Sequence, residues 1–241
     1  MEWVEHFEER ARRRGPDPAW SLGAELPPAV IASLQRFQVG ESGDGATLAA
    51  HADAAGDPAY AAAVRLFVAE ENEHARLLAE LIRAGGGELL DGHWSDAVFV
   101  RARRALGLRC ELLVLTVAEL IAVSYYGALA QSPDPLLAEV SRRILDDEQY
   151  HIRFQRDRLS EGFAATPPAR RRAIGALWQG FACAVSIVVA ADHGRALAAV
   201  GGSRRALLRE SAALFGRFRR EVFVAAPPVT AREISAAPHR P

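Results

Sequence analysis

Apolar residues recur along this chain at intervals of three and four, the spacing of one face of an α-helix. Over residues 58–84 the stripe reads Val64, Phe67, Glu71, His74, Leu78 and Ile82. Over residues 135–161 it reads Leu137, Val140, Ile144, Glu148, His151 and Gln155. A first long helix, about 28–54, carries Ile31, Leu34, Gln38, Glu41, Gly45, Leu48 and Ala52 on one line. A third, from near Ser95 to Ala130 with a bend at Gly107, carries Leu108, Leu112, Leu115, Glu119, Ala122 and Tyr126. Two more helices are predicted over about 167–200 and 203–224. The fold class is all-α. On four of these stripes an acid or an acid–imidazole pair stands where an apolar residue belongs, which costs free energy unless something satisfies it.

Punctuation supports these boundaries. Asp57-Pro58 and Asp134-Pro135 each place a capping side chain before a proline at the first helical position. Gly85-Gly86-Gly87 ends the second long helix, and Thr166 and Ser203 are the predicted caps of the last two. Gly40, Gly43 and Gly45 weaken the middle of the first helix and predict a break beside Glu41. The chain divides into an N-terminal extension at 1–24, a helical domain at 25–224 and a proline- and alanine-rich tail at 225–241, expected to be poorly ordered. Within the domain, a four-helix core covers about 27–161 and the added helices about 167–224. The longest apolar run, Leu177 to Ala191, is shorter than a membrane span and contains Gln179, so a buried core helix is expected there.

Composition narrows the chemistry. The chain has 241 residues, 50% of them apolar, and a formal net charge of -1, so no global field draws in nucleic acid or a membrane surface. Every one of its 29 basic residues is arginine. Without lysine, Schiff-base chemistry and a Walker-type phosphate loop are excluded. Cys110 and Cys183 lie in apolar runs and read as two buried thiols of a reducing compartment. Met1 to Arg14 is mostly charged and does not resemble a signal peptide, so a cytoplasmic protein is expected.

The polar interruptions form a pattern. Glu71-x-x-His74 and Glu148-x-x-His151 each put a carboxylate and an imidazole on one helix face. A lone glutamate precedes each step: Glu41 by 30 residues and Glu119 by 29. Four carboxylates can neutralise two divalent ions in a core of low polarity, and one imidazole per ion adds a nitrogen ligand. Glu71 and Glu148 are the expected bridges, and Glu41 and Glu119 the terminal or bridging partners. Ligand histidines need an outer acceptor to fix the ring. Glu70 and Asp147 each directly precede a ligand glutamate, turned about 100° from it. Asp147 is therefore expected to support His74, and Glu70 to support His151.

Glu70-Glu71-x-x-His74 and Asp147-Glu148-x-x-His151, with Glu41 and Glu119, resemble the ligand pattern of the ferritin-like di-iron carboxylate superfamily over residues 27–161. The resemblance implies a ferritin-like bundle with two added C-terminal helices. It also implies two iron ions, with manganese an option at either site, and a centre that reacts with O₂ or peroxide. The expected activity is a non-haem di-iron oxidase or oxygenase acting on a small organic molecule and served by an external electron donor, as a monomer or homodimer. Alternatives are a ferroxidase or iron-storage protein, although no acidic cluster beyond the ligands supports storage, and a helical interaction protein with a structural or vestigial site. For that last reading, Arg170 to Arg172 and Arg217 to Arg220 would face a partner, against the plainer view that they are solvated.

Two further residues are candidates. Tyr126, two turns after Glu119, could serve as a redox or hydrogen-bonding group near the metals or simply fill the core. His193 could be an extra ligand of the kind some members of the superfamily recruit, or a hydrogen-bonded core histidine. His51, ten residues beyond Glu41, lies about 15 Å along the axis and is too far for the same metal. His6, His93 and His239 are expected at the surface.

Overall fold

A computed structural model describes residues 2–43, 45–92 and 107–223. All its regular elements are helical. They are α1 (Glu2–Arg13), a 3-10 turn (Trp20–Leu22), α2 (Pro28–Glu41), α3 (Ala46–Ala54), α4 (Pro58–Ala84), α5 (Leu108–Leu129), α6 (Pro135–Phe163), α7 (Pro168–Ala199) and α8 (Arg204–Phe223). The predicted helix start near Ser95 and the tail lie outside the described residues, as do His93 and His239.

The caps act as their chemistry requires. Asp57 accepts from the Tyr60 amide at 3.0 Å and Asp134 from the Leu137 amide at 2.8 Å. Ser203 accepts from the Ala206 amide at 3.1 Å. Thr166 does not cap α7: Pro167 takes that position with no side-chain bond, and its fixed φ starts the helix instead. The first long helix is broken in two. Gly45 has φ +62, a left-handed conformation, and a Cβ there would stand 2.4 Å from Val68 of α4. Only glycine allows both the turn and the approach.

The core is divided by a polar band. Phe67, Leu112, Leu115, Phe154 and Phe163 belong to one apolar cluster, and Leu34, Leu78, Ile82, Tyr126 and Ile144 to a second. Along α4, Glu71 and His74 fall between Phe67 of the first cluster and Leu78 of the second. Glu119 falls between Leu115 and Ala122 on α5, and Glu148 and His151 between Ile144 and Phe154 on α6. The same order fixes direction. α4 and α5 both run from the first cluster to the second; α6 and the α2–α3 pair run the other way. α2 packs on α4, α5 on α6, and α4 on α6.

α1 lies against α4, and Phe7 inserts into the first cluster. α7 and α8 form a hairpin against α5. Among the described residues, two helices, α5 and α7, are long and apolar enough to cross a membrane by length and composition alone. The apolar stretch of α5 is 72% buried, as a core helix is, but that of α7 is only 28% buried. The expectation of a buried core helix over Leu177–Ala191 is therefore corrected. Its inner line, Trp178, Ala182, Ser186 and Ala190, is buried, while Leu177, Ile187 and Val188 face outward. Cys183 is exposed on that outer line and Cys110 is half-buried, so the two thiols are not the buried pair expected; both are free.

Candidate metal centre

Each long helix delivers its polar groups into the band because its apolar stripe continues on both sides. Ligand-capable atoms of Glu41, Glu71, His74 and Glu148 all lie within 4.8 Å of one another, and so do those of Glu71, Glu119 and His151. Glu71 belongs to both groups. Glu148 reaches both imidazoles: Oε1 is 3.7 Å from His74 Nδ1, and Oε2 is 3.8 Å from His151 Nδ1. Glu71 Oε1 likewise stands 3.0 Å from His151 Nδ1 and 3.7 Å from His74 Nδ1. His151 Nδ1 lies 3.8 Å from Glu119 Oε2. The structure thus brings together all six residues singled out as ligands.

The opposite edge of each imidazole is held from outside. His74 Nε2 lies 3.1 Å from Asp147 Oδ2, and His151 Nε2 lies 3.0 Å from Glu70 Oε2. With those carboxylates accepting the Nε2 protons, both Nδ1 atoms present lone pairs to the centre. Glu119 is oriented by Gln155, whose Nε2 donates to its Oε1 at 2.6 Å; Thr116 donates in turn to Gln155 Oε1. Tyr126 OH donates to Glu41 Oε1 at 3.1 Å.

With both imidazoles neutral, five buried polar atoms of the cluster have no hydrogen-bond partner, Glu71 Oε1, His74 Nδ1, Glu119 Oε2, Glu148 Oε2 and His151 Nδ1; Glu71 Oε1 and His151 Nδ1 stand 3.0 Å apart and pair only when the ring takes up a second proton. The five come from three helices and share one small region. Burying each without a partner costs about 1–3 kcal/mol. Only the Glu41 and Glu71 edge of the cluster is half-buried, with 17% of the Glu71 side chain exposed.

Proton affinities reflect the crowding. Burial, reinforced by the charges of Glu71 and Glu148, raises the Glu41 carboxyl well above its usual range. Burial and the Glu148 charge raise Glu119 in the same way. For His151, burial disfavours the cation, but Glu148, Glu70 and Glu71 outweigh it and raise its pKa strongly. His74 is raised for the same reasons, with Asp147 the main opponent of burial. Glu71 is lowered, because the two histidines overcome its burial. Without a cation, protons must hold the cluster together. Four carboxylates and two imidazoles could hold two divalent ions, which would supply the missing positive charge and the partners of the orphaned atoms.

Two arginines that the sequence did not disclose complete the outer layer. Arg10 of α1 donates to Asp147 Oδ1 at 2.5 Å and Asp146 Oδ2 at 2.8 Å. Arg14 Nη2 lies 3.3 Å from Asp147 Oδ2 and 3.4 Å from Glu70 Oε1. The only available signal was the amphipathic period of α1, with Trp3 and Phe7 on the line that leads to Arg10.

Other candidates lie elsewhere. His193 is not in the cluster; its Nδ1 is 2.7 Å from Ser33 Oγ, which is 2.6 Å from Tyr125 OH. His51 pairs with Glu111 at 2.6 Å, and His6 is exposed. Two surface clefts, one beside Trp3, Tyr60 and Arg158 and one beside Leu22 and Asp134, include none of the six cluster residues.

Searches against family models, curated proteins and solved structures found no match to the chain.

Proposed function

We propose that this chain is a dinuclear metal-dependent oxidoreductase of ferritin-like type, holding two iron ions or an iron and manganese mixture. The observation that carries the reading is the set of five orphaned buried ligand atoms converging from α4, α5 and α6. Glu41, Glu71, His74 and Glu148 would hold one ion, and Glu71, Glu119, Glu148 and His151 the other. The directions of the helices support the same reading: α4 ends beside the core cluster opposite the one where α5 begins. Two antiparallel pairs joined by one long connection are a bundle plan that builds such carboxylate sites.

When bound, such a pair supplies one-electron steps and O₂ chemistry that amino acids lack. The protein's own residues do the rest. Asp147 and Glu70 hold the imidazole protons away from the centre, so both Nδ1 atoms stay available. Tyr126 holds Glu41, the carboxylate nearest the half-buried edge, by donating its hydroxyl, and burial with the Glu41 charge keeps that phenol protonated. The apolar clusters above and below exclude water from the other side. A small organic substrate and O₂ would enter at the Glu41–Glu71 edge, and an external donor would supply electrons.

Metal analysis of protein purified without chelator and reconstituted with Fe(II) under anaerobic conditions tests this. The expected result is two metal ions per chain in the wild type, loss of both in Glu71→Ala and Glu148→Ala, and O₂ uptake by the Fe(II)-loaded wild type. No metal in the wild type, or two ions retained in either variant, would overturn the assignment. A loaded wild type that consumes no O₂ would leave a structural metal site and remove the enzyme.

A further inference from the structure

From Ala173 to Ala191, 19 residues, α7 carries no charged residue, and Arg172 and Asp192 flank the stretch within the helix. Its outward line is Ala173, Ala176, Leu177, Gly180, Cys183, Ala184, Ile187, Val188 and Ala191, all exposed. Leu177 is 77% exposed, Ile187 59% and Val188 54%. Contiguous apolar exposure of this kind is uncommon on a monomer.

The line reads nearly the same in both directions about residue 182. Ala173 mirrors Ala191, Ala176 mirrors Val188, Leu177 mirrors Ile187, and Gly180 mirrors Ala184. Exposure is mirrored at these four pairs, although exposed Cys183 mirrors half-buried Phe181, and the flanks are opposite in charge: Arg172 and Asp192 are both exposed. A face of this sort complements an antiparallel copy of itself. Leu177 would meet Ile187 at either side, and two small residues, Gly180 and Ala184, would lie at the crossing where helix backbones come closest. Arg172 of one copy would face Asp192 of the other, about 30 Å along the helix from its own Asp192. Asp192 keeps 39% of its side chain exposed although Arg36 approaches it at 3.0 Å.

We propose that α7 is the two-fold contact of a homodimer, with the axis passing between Gly180 and Ala184. A membrane surface is a poorer occupant. Amphipathic helices that lie on membranes present aromatic residues to the lipid and flank them with many cations. Here Trp178 is buried, Phe181 is half-buried, and one flank ends in an acid. The segment 224–241 is a poor cover as well, because Val224, Val229 and Ile234 are its only branched aliphatic residues. One helix face about 30 Å long and 10 Å wide is smaller than the ~800 Å² per partner of a standard complex. The dimer should therefore be reversible.

Sedimentation velocity of the full chain across a concentration series, with and without vesicles of neutral and anionic phospholipid, tests the proposal. The expected result is a concentration-dependent dimer of the wild type that floats with neither vesicle. Leu177→Asp and Ile187→Asp, both at exposed positions, should sediment as monomers with unchanged helical circular dichroism. As a check that needs no disruptive variant, a short bis-maleimide should join two chains through Cys183, and Cys183→Ser should abolish the product. A wild type monomeric at all concentrations, a dimer that survives both aspartates, a cross-link that survives Cys183→Ser, or binding to vesicles would each overturn it.

Discussion

Asp147 Oδ2 lies 3.1 Å from His74 Nε2, across the contact between α6 and α4, so the acid beside Glu148 fixes the imidazole of the other helix. Glu70 and His151 make the reciprocal contact at 3.0 Å. Each helix therefore orients the other's imidazole. Asp147→Asn keeps the shape but exchanges a charged acceptor for a neutral amide. Fe(II) affinity should fall by about 10–100-fold, the usual cost of losing an outer partner of a ligand histidine. Glu70→Gln should cost a similar factor through His151. Anaerobic Fe(II) titration followed calorimetrically measures both, and unchanged affinity in the pair would show that these acids do not orient the rings.

Arg10 spans Asp146 and Asp147 and lies 3.6 Å over the ring of Tyr150. Burial alone would raise the Asp147 carboxyl, but His74, Arg10 and Arg14 outweigh it and hold it below its usual range. Arg10→Met removes the one cation that grips Asp147 at close range from α1. The expected loss is about 1–3 kcal/mol in urea unfolding, the cost of a charge-assisted bond at a part-buried site. Arg10→Lys should recover only a fraction, because an ammonium cannot reproduce a fork that spans two carboxylates. Full stability in Arg10→Met would make α1 a passive cover.

What was legible in the sequence followed from period and cap chemistry. The stripes placed Glu71, His74, Glu119, Glu148 and His151 inward because apolar residues bracket each of them, and Asp57 and Asp134 marked helix starts through local bonds. Less legible was anything set by contacts between distant segments. Arg10 meets Asp147 across 137 residues, and no local rule connects them. α7 misled because an apolar run gives the same signal whether the face is covered within the chain or left outside; only packing distinguishes Trp178, buried, from Leu177, exposed. The glycines near Glu41 announced a break, but the residue that needs to be glycine, Gly45, was identified only by its approach to Val68.

Gly45→Ala tests that break. A left-handed alanine costs about 1 kcal/mol, and its Cβ would meet Val68 Cγ1 at 2.4 Å, adding about 1–3 kcal/mol of overpacking. Chemical denaturation should show a loss of about 2–4 kcal/mol. Val68→Ala removes the two methyls at 2.4 and 2.5 Å, leaving a tight 3.0 Å contact with its own Cβ and the backbone strain. The double variant should therefore be more stable than the sum of the two single changes, and strict additivity in the cycle would deny the contact.

The pH dependence of the metal-free protein has a determined sign. His74 and His151 are raised above 6.5, so their contribution is complete below that value and is lost as pH rises through their folded values. Glu41 and Glu119 are raised above 4.5 and act in the same direction: the folded state keeps protons that the unfolded chain gives up, so stability falls as pH rises. Glu71 and Asp147 are lowered, and their contribution is lost only at the acid end, as pH falls through their folded values. Chelated protein should therefore melt at a lower temperature near about pH 8.5 than near about pH 6. Divalent metal replaces the same protons, so its affinity rises with pH. The increase in melting temperature on adding Mn(II), chosen because it is redox-stable under these conditions, should be larger at the higher pH. Differential scanning calorimetry with and without Mn(II) at both values makes the comparison, and a metal-induced shift that shrinks as pH rises would contradict proton–metal exchange at these carboxylates and imidazoles.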